Sequence, residues 1–216
     1  MIQNDKVLLL WDVDGTLIRS KNSNSHAEFL KAYGCESVER PSLQSGMTDY
    51  ELLISMLSEE ARARVGDNLL LKDFDIFYKG LMELQIDRII SDSDLASIGE
   101  GVIHGILTGN TLERAKRKLS KADISTFDNS SFIYTCLPGE SRESIVKRAK
   151  AELDKLGLSC VVIGDTPRDV SAAVSNGMRV ISISSGDYSF KELSKFNPDG
   201  TIPHFDSSEL RKLIFI

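Results

Sequence analysis

The feature that most constrains this chain is the run Leu8-Leu9-Leu10-Trp11, which breaks off into Asp12-Val13-Asp14-Gly15-Thr16. A short, continuous apolar stretch needs burial on both faces, and a strand between two helical layers provides it. The pattern recurs. Strands are predicted over Lys6–Val13, Val102–Leu107, Ser159–Ile163 and Arg179–Ile183, with helical patterns over Thr111–Leu119, Arg142–Leu156 and Arg168–Val174 between the later ones. Apolar strands alternating with helices predict a parallel sheet covered on both faces. Right-handed crossovers make it a doubly wound α/β fold, which binds ligands beyond the carboxyl ends of its strands.

From about Arg19 to Ser93 that rhythm fails. The interval shows helical patterns at His26–Tyr33, Asp49–Leu57 and Leu69–Ile89 and no clear strand. It is predicted to be a small helical cap, residues 19–93, inserted into an α/β core formed by residues 1–18 and 94–216. The tail, Tyr188–Ile216, is expected to finish the sheet edge with two short helices. A chain of 216 residues suffices for one core with such an appendage.

A formal charge of −6 argues against a nucleic acid or an anionic membrane as the main partner. It does not exclude a small anionic ligand, because a pocket holding a divalent cation is locally positive. No apolar run is long enough to span a bilayer. Val7–Trp11 is too short for a signal segment, and Asp12 and Asp14 stand where a cleavage site would follow. Cys35, Cys136 and Cys160 are odd in number and lack metal-type spacing, so they are expected to be packing residues in a reducing cytoplasm.

Four places carry chemistry. Asp12 and Asp14 lie two residues apart at a strand end, on one side of the chain, with Gly15 allowing a sharp exit. Two anions so close call for a cation between them or a proton on one; the plainer reading is a turn with two solvated aspartates. Gly164-Asp165-Thr166-Pro167-Arg168-Asp169 follows a second apolar strand, with Pro167 suited to open a helix. Asp165 offers a hard oxygen to the same cation as Asp12, while Asp165 or Thr166 equally suits a helix cap. Thr108-Gly109-Asn110 closes a third strand before a helix, a seat for phosphate oxygens or an ordinary cap. Arg142 opens another helix and offers a fixed cation, with Lys147 as its competitor and simple solvation as the alternative.

In order and content these four places resemble the haloacid dehalogenase superfamily of hydrolases, over nearly the whole chain. Within it the chain looks like the phosphoglycolate-phosphatase-like branch, whose helical cap follows the first motif. Ser45-Gly46-Met47-Thr48-Asp49 is similar to a cap loop that faces the substrate in that branch. Ser141-Arg142-Glu143 stands where many members carry Lys-Pro, matching a subgroup that uses Arg.

The resemblance implies a Mg²⁺-dependent phosphatase acting on a small phosphorylated metabolite. Asp12 would attack phosphorus and become an aspartyl-phosphate, while Asp14 would protonate the leaving group and then activate water. Mg²⁺ would be held by Asp12, Asp165 and the main-chain carbonyl of Asp14, with Asp169 orienting that set. Thr108, the amides of Gly109 and Asn110, and Arg142 would bind the phosphoryl oxygens, and Met47, Thr48 and Asp49 would read the leaving group. An acid at Asp14 argues against a dehalogenase, since halide leaves without a proton. A phosphomutase using the same residues is the enzymatic rival. A non-catalytic phospho-ligand-binding protein is the other, disfavoured because Asp12, Asp14 and Asp165 are all present. His26 and His104 are expected to be structural, and Arg114–Lys118 is expected to be a solvated helix face.

Overall fold

The computed structural model describes residues 6–21, 24–35, 45–80 and 85–216. In chain order the strands are β1 (Val7–Trp11), β2 (Ile18–Lys21), β3 (Gln85–Arg88), β4 (Val102–Leu107), β5 (Ile133–Tyr134), β6 (Ser159–Gly164), β7 (Arg179–Ile183) and β8 (Gly200–Ile202). Among the described residues, six of them form a sheet in the order β5-β4-β1-β6-β7-β8, and every pairing in it is parallel. The helices are α1 (Ser25–Ala32), α2 (Asp49–Ser55), α3 (Glu59–Arg64), α4 (Asp67–Gly80), α5 (Asp92–Ser97), α6 (Leu112–Lys121), α7 (Arg142–Leu156), α8 (Pro167–Ser175), α9 (Phe190–Leu193) and α10 (Ser207–Ile214). The fold is the doubly wound α/β class that the apolar strands predict.

Because side chains alternate along a strand, β1 feeds both cores. Leu8 and Leu10 join one cluster with Ile145, Val146 and Val170 of α7 and α8. Leu9 and Trp11 join the other with Leu95, Leu119, Leu210 and Ile214 of α5, α6 and α10. The chain runs from β1 outward to β4 and β5, then crosses to β6, β7 and β8 on the far side. It therefore changes direction at β1, and a crevice opens beyond the carboxyl ends of β4, β1 and β6. Thr108, Asp12 and Asp165 follow those three strand ends.

β1 stops at Trp11, two residues short of the predicted end, because the backbone turns there. The amides of Leu17 and Ile18 return to the Val13 carbonyl, and Gly15 sits at φ +82°, a left-handed conformation open to glycine. That turn leads into β2, which pairs antiparallel with β3. The two strands close the neck of the segment carrying α1 to α4. Neither strand is predicted, for IRSK and QIDR each hold a lone β-branched residue. Mutual pairing supplies what local propensity lacks. The predicted helix Leu69–Ile89 accordingly divides: α4 ends at Gly80, β3 follows, and residues 81–84 lie outside the described set. α3 has no buried residue, so no apolar stripe announces it. The tail has the two expected short helices, α9 and α10, with β8 between them.

α4 packs through Phe74, which is fully buried, stacks on His26 at 4.7 Å between ring centres and meets the Phe29 ring edge-on at 5.3 Å. Two residues on, Ile76 is 60% exposed. Phe74→Ala is expected to cost about 3–5 kcal/mol in urea unfolding, and Ile76→Ala about 0.5 kcal/mol or less. Equal losses would contradict this packing of α4.

Candidate active site

The ends of β1 and β6 bring three carboxylates together. Single oxygens of Asp12, Asp165 and Asp169 lie within 4.8 Å of one another, and all three residues are buried. Adjacency of β1 and β6 places Asp12 beside Asp165. Asp169 arrives from α8, where Thr166 is the N-cap: its hydroxyl accepts from the Asp169 amide, and the Asp169 carboxylate accepts from the Thr166 amide. The capping alternative at Thr166 is thus realised alongside the carboxylate cluster.

Arg142 enters this cluster from the first turn of α7, 4% exposed. Its guanidinium contacts Asp12 Oδ1 at 2.6 Å and grips Asp169 Oδ1 through both Nε and a terminal nitrogen. Lys147, its competitor in the sequence, is exposed on α7. Three carboxylates and one guanidinium leave two negative charges in a buried space. Burial pushes Asp12 up to about 6, with Asp169 and Asp14 adding to it against the opposing pull of Arg142. Burial also raises Asp165 well above the carboxylate range, helped by Asp169 and Asp12. A hard divalent cation fits this set, since the donors are all oxygen and the excess charge is two. Both oxygens of Asp169 are committed, to Arg142 and to Thr166. Asp12 and Asp165 are therefore the better direct ligands, with Asp169 acting through Arg142. A side chain at Gly15 would run into the Asp165 carboxylate, so glycine is required there for space as well as for its turn.

Thr108, Gly109 and Asn110 line the same cavity, whose volume is about 360 Å³. Thr108 Oγ1 accepts from the Asn110 amide at 3.3 Å and from Asn110 Nδ2 at 2.9 Å. With its lone pairs so used, the hydroxyl keeps its hydrogen to donate. Asp14 also lines the cavity, its side chain 39% exposed. It accepts from Lys118 Nζ at 2.5 Å, Asn110 Nδ2 at 2.7 Å and Ser20 Oγ at 2.8 Å. Burial alone would raise Asp14, but Lys118 and Arg114 outweigh it and hold the carboxyl well below its usual range.

Arg114–Lys118 is thus corrected: it is not a solvated face. Arg114 and Lys118 are 5% and 1% exposed, one helical turn apart on α6, and both reach into the site. The charged pattern misleads because it is indistinguishable from a surface helix; the available signal is that both flank Ala115 and Leu119, which are core residues. Arg114 pairs with Asp49, which also accepts from His26 Nε2 at 2.9 Å and from the Thr111 amide at 2.8 Å. Burial would raise Asp49, but Arg114 and His26 bring it down to about 2. Burial and Arg114 push His26 down to about 4, so it is a neutral imidazole donating through Nε2.

The predicted substrate-reading loop is a different matter in detail. Met47 and Asp49 line the cavity, but the Asp49 carboxylate is spent on Arg114, His26 and Thr111. Thr48 is fully buried: it caps α2 and donates to the Glu140 carbonyl. Its hydroxyl is not free to read a leaving group. The loop packs against Gly109, where an added Cβ would stand 2.9 Å from the Met47 carbonyl oxygen. His104 is structural, its Nδ1 accepting from the Trp11 indole at 3.1 Å.

A family model described as haloacid dehalogenase-like hydrolase matches residues 7–177. No curated protein matches the chain in sequence. Similar solved structures include a haloacid dehalogenase-like family hydrolase from Streptococcus pneumoniae, with TM-score 0.61, 19% identity and coverage of 96% of this chain and 98% of the other. A protein described as a predicted phosphoglycolate phosphatase from Haemophilus somnus has TM-score 0.63 at 16% identity, covering 99% of each chain. A hydrolase from Pseudomonas syringae has TM-score 0.61 at 21% identity, covering 91% and 92%. At these identities the likeness is one of fold. Among the described residues no helix is long and apolar enough to cross a membrane.

The raised Asp12 has a definite pH signature. A carboxyl raised on folding stabilises the protein fully below its unfolded value of 3.8, and that contribution is lost as pH climbs through about 6. Cation binding should replace it at high pH and compete with protons at low pH. Saturating Mg²⁺ is therefore expected to raise the melting temperature by roughly 5 °C more at pH 7.5 than at pH 5. A shift equal at both pH values would contradict a cation at Asp12.

Proposed function

This chain belongs to the haloacid dehalogenase-like hydrolases, and we propose that within them it is a Mg²⁺-dependent phosphatase of a small phosphorylated metabolite. The observation that carries the reading is the buried set of Asp12, Asp165, Asp169 and Arg142 at the carboxyl ends of adjacent parallel strands. A cavity of about 360 Å³ beside it suits a phosphoryl group with a leaving group of modest size.

In this reading an Asp12 carboxylate oxygen attacks phosphorus in line. The P–O bond to the leaving group breaks, and the leaving oxygen takes a proton from Asp14. Water then attacks the aspartyl-phosphate, giving its proton to Asp14 as the bond to Asp12 breaks and phosphate departs. Asp14 rests ionised beside Lys118, so it takes up its first proton as the phosphoryl dianion enters and raises its proton affinity. Arg142, anchored on Asp169, aims Asp12 and offsets charge on the phosphoryl oxygens. Thr108 donates its remaining hydrogen, and the Gly109 amide completes the seat, while the Asn110 amide holds the Thr108 hydroxyl in place. When bound, Mg²⁺ would supply Lewis-acid stabilisation of the transferring group, held by Asp12, Asp165 and the main-chain carbonyl of Asp14. The helices of residues 19–93 act as a cap over this seat, keeping bulk water from the aspartyl-phosphate. Met47 is the cap residue that meets the leaving group.

The acid role of Asp14 separates this reading from one in which Asp14 merely builds the site. Asp14→Asn is expected to lower Mg²⁺-dependent turnover of an alkyl phosphate by about 10²-fold or more, and that of a nitrophenyl phosphate far less. Nitrophenolate leaves without a proton and an alkoxide does not. Phosphate release from both esters is the measurement, and equal losses would remove the acid from the mechanism.

A further inference from the structure

Lys118 enters the scheme above only as the cation beside Asp14, yet among the described residues it is one of the largest fully buried side chains. An ammonium is costly to bury, and the four-carbon stem of lysine ordinarily lets the charge reach water. Here α6 prevents that. The helix is held by Arg114 on Asp49 and by Leu119 in the core, and Lys118 projects between these two anchors. Its Nζ contacts Asp14 Oδ2 at 2.5 Å and Asn110 Oδ1 at 2.8 Å. Asn110 Nδ2 closes the triangle on the same Asp14 oxygen at 2.7 Å. The Lys118 side chain is 2% exposed and the Asp14 side chain 39%. The lysine borders the cavity, but its ammonium is taken up by Asp14 and Asn110, while the carboxylate is the more exposed of the pair.

Resting on the acid–base reading of Asp14, we infer that Lys118 is a positioning residue that divides the two oxygens of that carboxylate. Oδ2 is the anchor, saturated by Lys118 and Asn110. Oδ1 is the working oxygen, steadied by Ser20 Oγ at 2.8 Å and left to exchange a proton with the leaving group and then with water. Without the ammonium, the carboxylate loses its strongest tether and turns about its side-chain bonds. Ser20 sits on β2, at the neck of the helical segment, so Asp14 is clasped from the core on one oxygen and from that neck on the other.

Lys118→Met keeps the length and apolar stem and removes the charge; Lys118→Gln, which retains a donor, is measured beside it, and thermal unfolding verifies that both fold. The inference expects a crystal structure of Lys118→Met to show the Asp14 carboxylate turned from its place beside Asn110. It expects kcat on an alkyl phosphate to fall at least about tenfold more than on nitrophenyl phosphate, with KM changed less than about threefold. In an Asp14→Asn background, Lys118→Met should add no further loss, since it acts through the missing group. An unmoved Asp14, losses equal for both esters, or losses that multiply in the double variant would each overturn it. If Asp14→Asn alone fails to distinguish the esters, the acid reading falls instead. The crystallographic position of Asp14 in Lys118→Met then still decides whether Lys118 places it.

Discussion

The structure turns on the guanidinium of Arg142 held between Asp12 and Asp169. It links the end of β1 to the start of α8 from the first turn of α7. Removing one partner from such a buried set leaves an uncompensated charge, at a cost of about 3–5 kcal/mol. The surrounding residues are shaped to the same end. β1 and β6 run side by side so that Asp12 meets Asp165, Gly15 leaves room for the Asp165 carboxylate, and the Thr166 cap fixes Asp169. The excess of negative charge sets the cluster apart from a closed ion pair and suits it to the divalent cation proposed above.

A second group of charges faces the first across the cavity. Arg114 and Lys118 rise from one face of α6, the former meeting Asp49 at the start of α2 and the latter meeting Asp14. Asp49 also takes the Thr111 amide at the entrance to α6, and its own amide donates to the Gly109 carbonyl. The helical segment is therefore seated directly on the loop proposed to hold phosphate, and α6 touches both that seat and Asp14. A change in how α2 sits would be felt at the first turn of α6, where Arg114 and the Thr111 amide both meet Asp49.

Much of this was legible in the sequence, for a physical reason. Strands buried on both faces must be apolar throughout, so β1, β4, β6 and β7 stand out, and the residues at their ends mark the crevice. Asp12, Thr108 and Asp165 are found that way. β2, β3, β5 and β8 are too short or too polar to carry a period, and they exist through pairing. Arg114 and Lys118 were hidden for another reason. Charge on a helix is read as solvent exposure, and what buries these two is their counter-ions, Asp49 and Asp14, at 65 and 104 residues' remove. The loop at Met47–Asp49 was legible as a feature near the site, though the partners of Thr48 and Asp49 lie in distant segments.

In the function proposed, Asp12 carries the phosphoryl group between substrate and water. Turnover of an aryl phosphate with Mg²⁺, stopped in acid and reduced with borohydride, converts an aspartyl-phosphate to homoserine at the residue that bore it. Peptide mass mapping should then find homoserine at position 12, and none in the Asp12→Asn variant. Steady turnover with no homoserine at position 12, or with the label on another residue, would contradict the account.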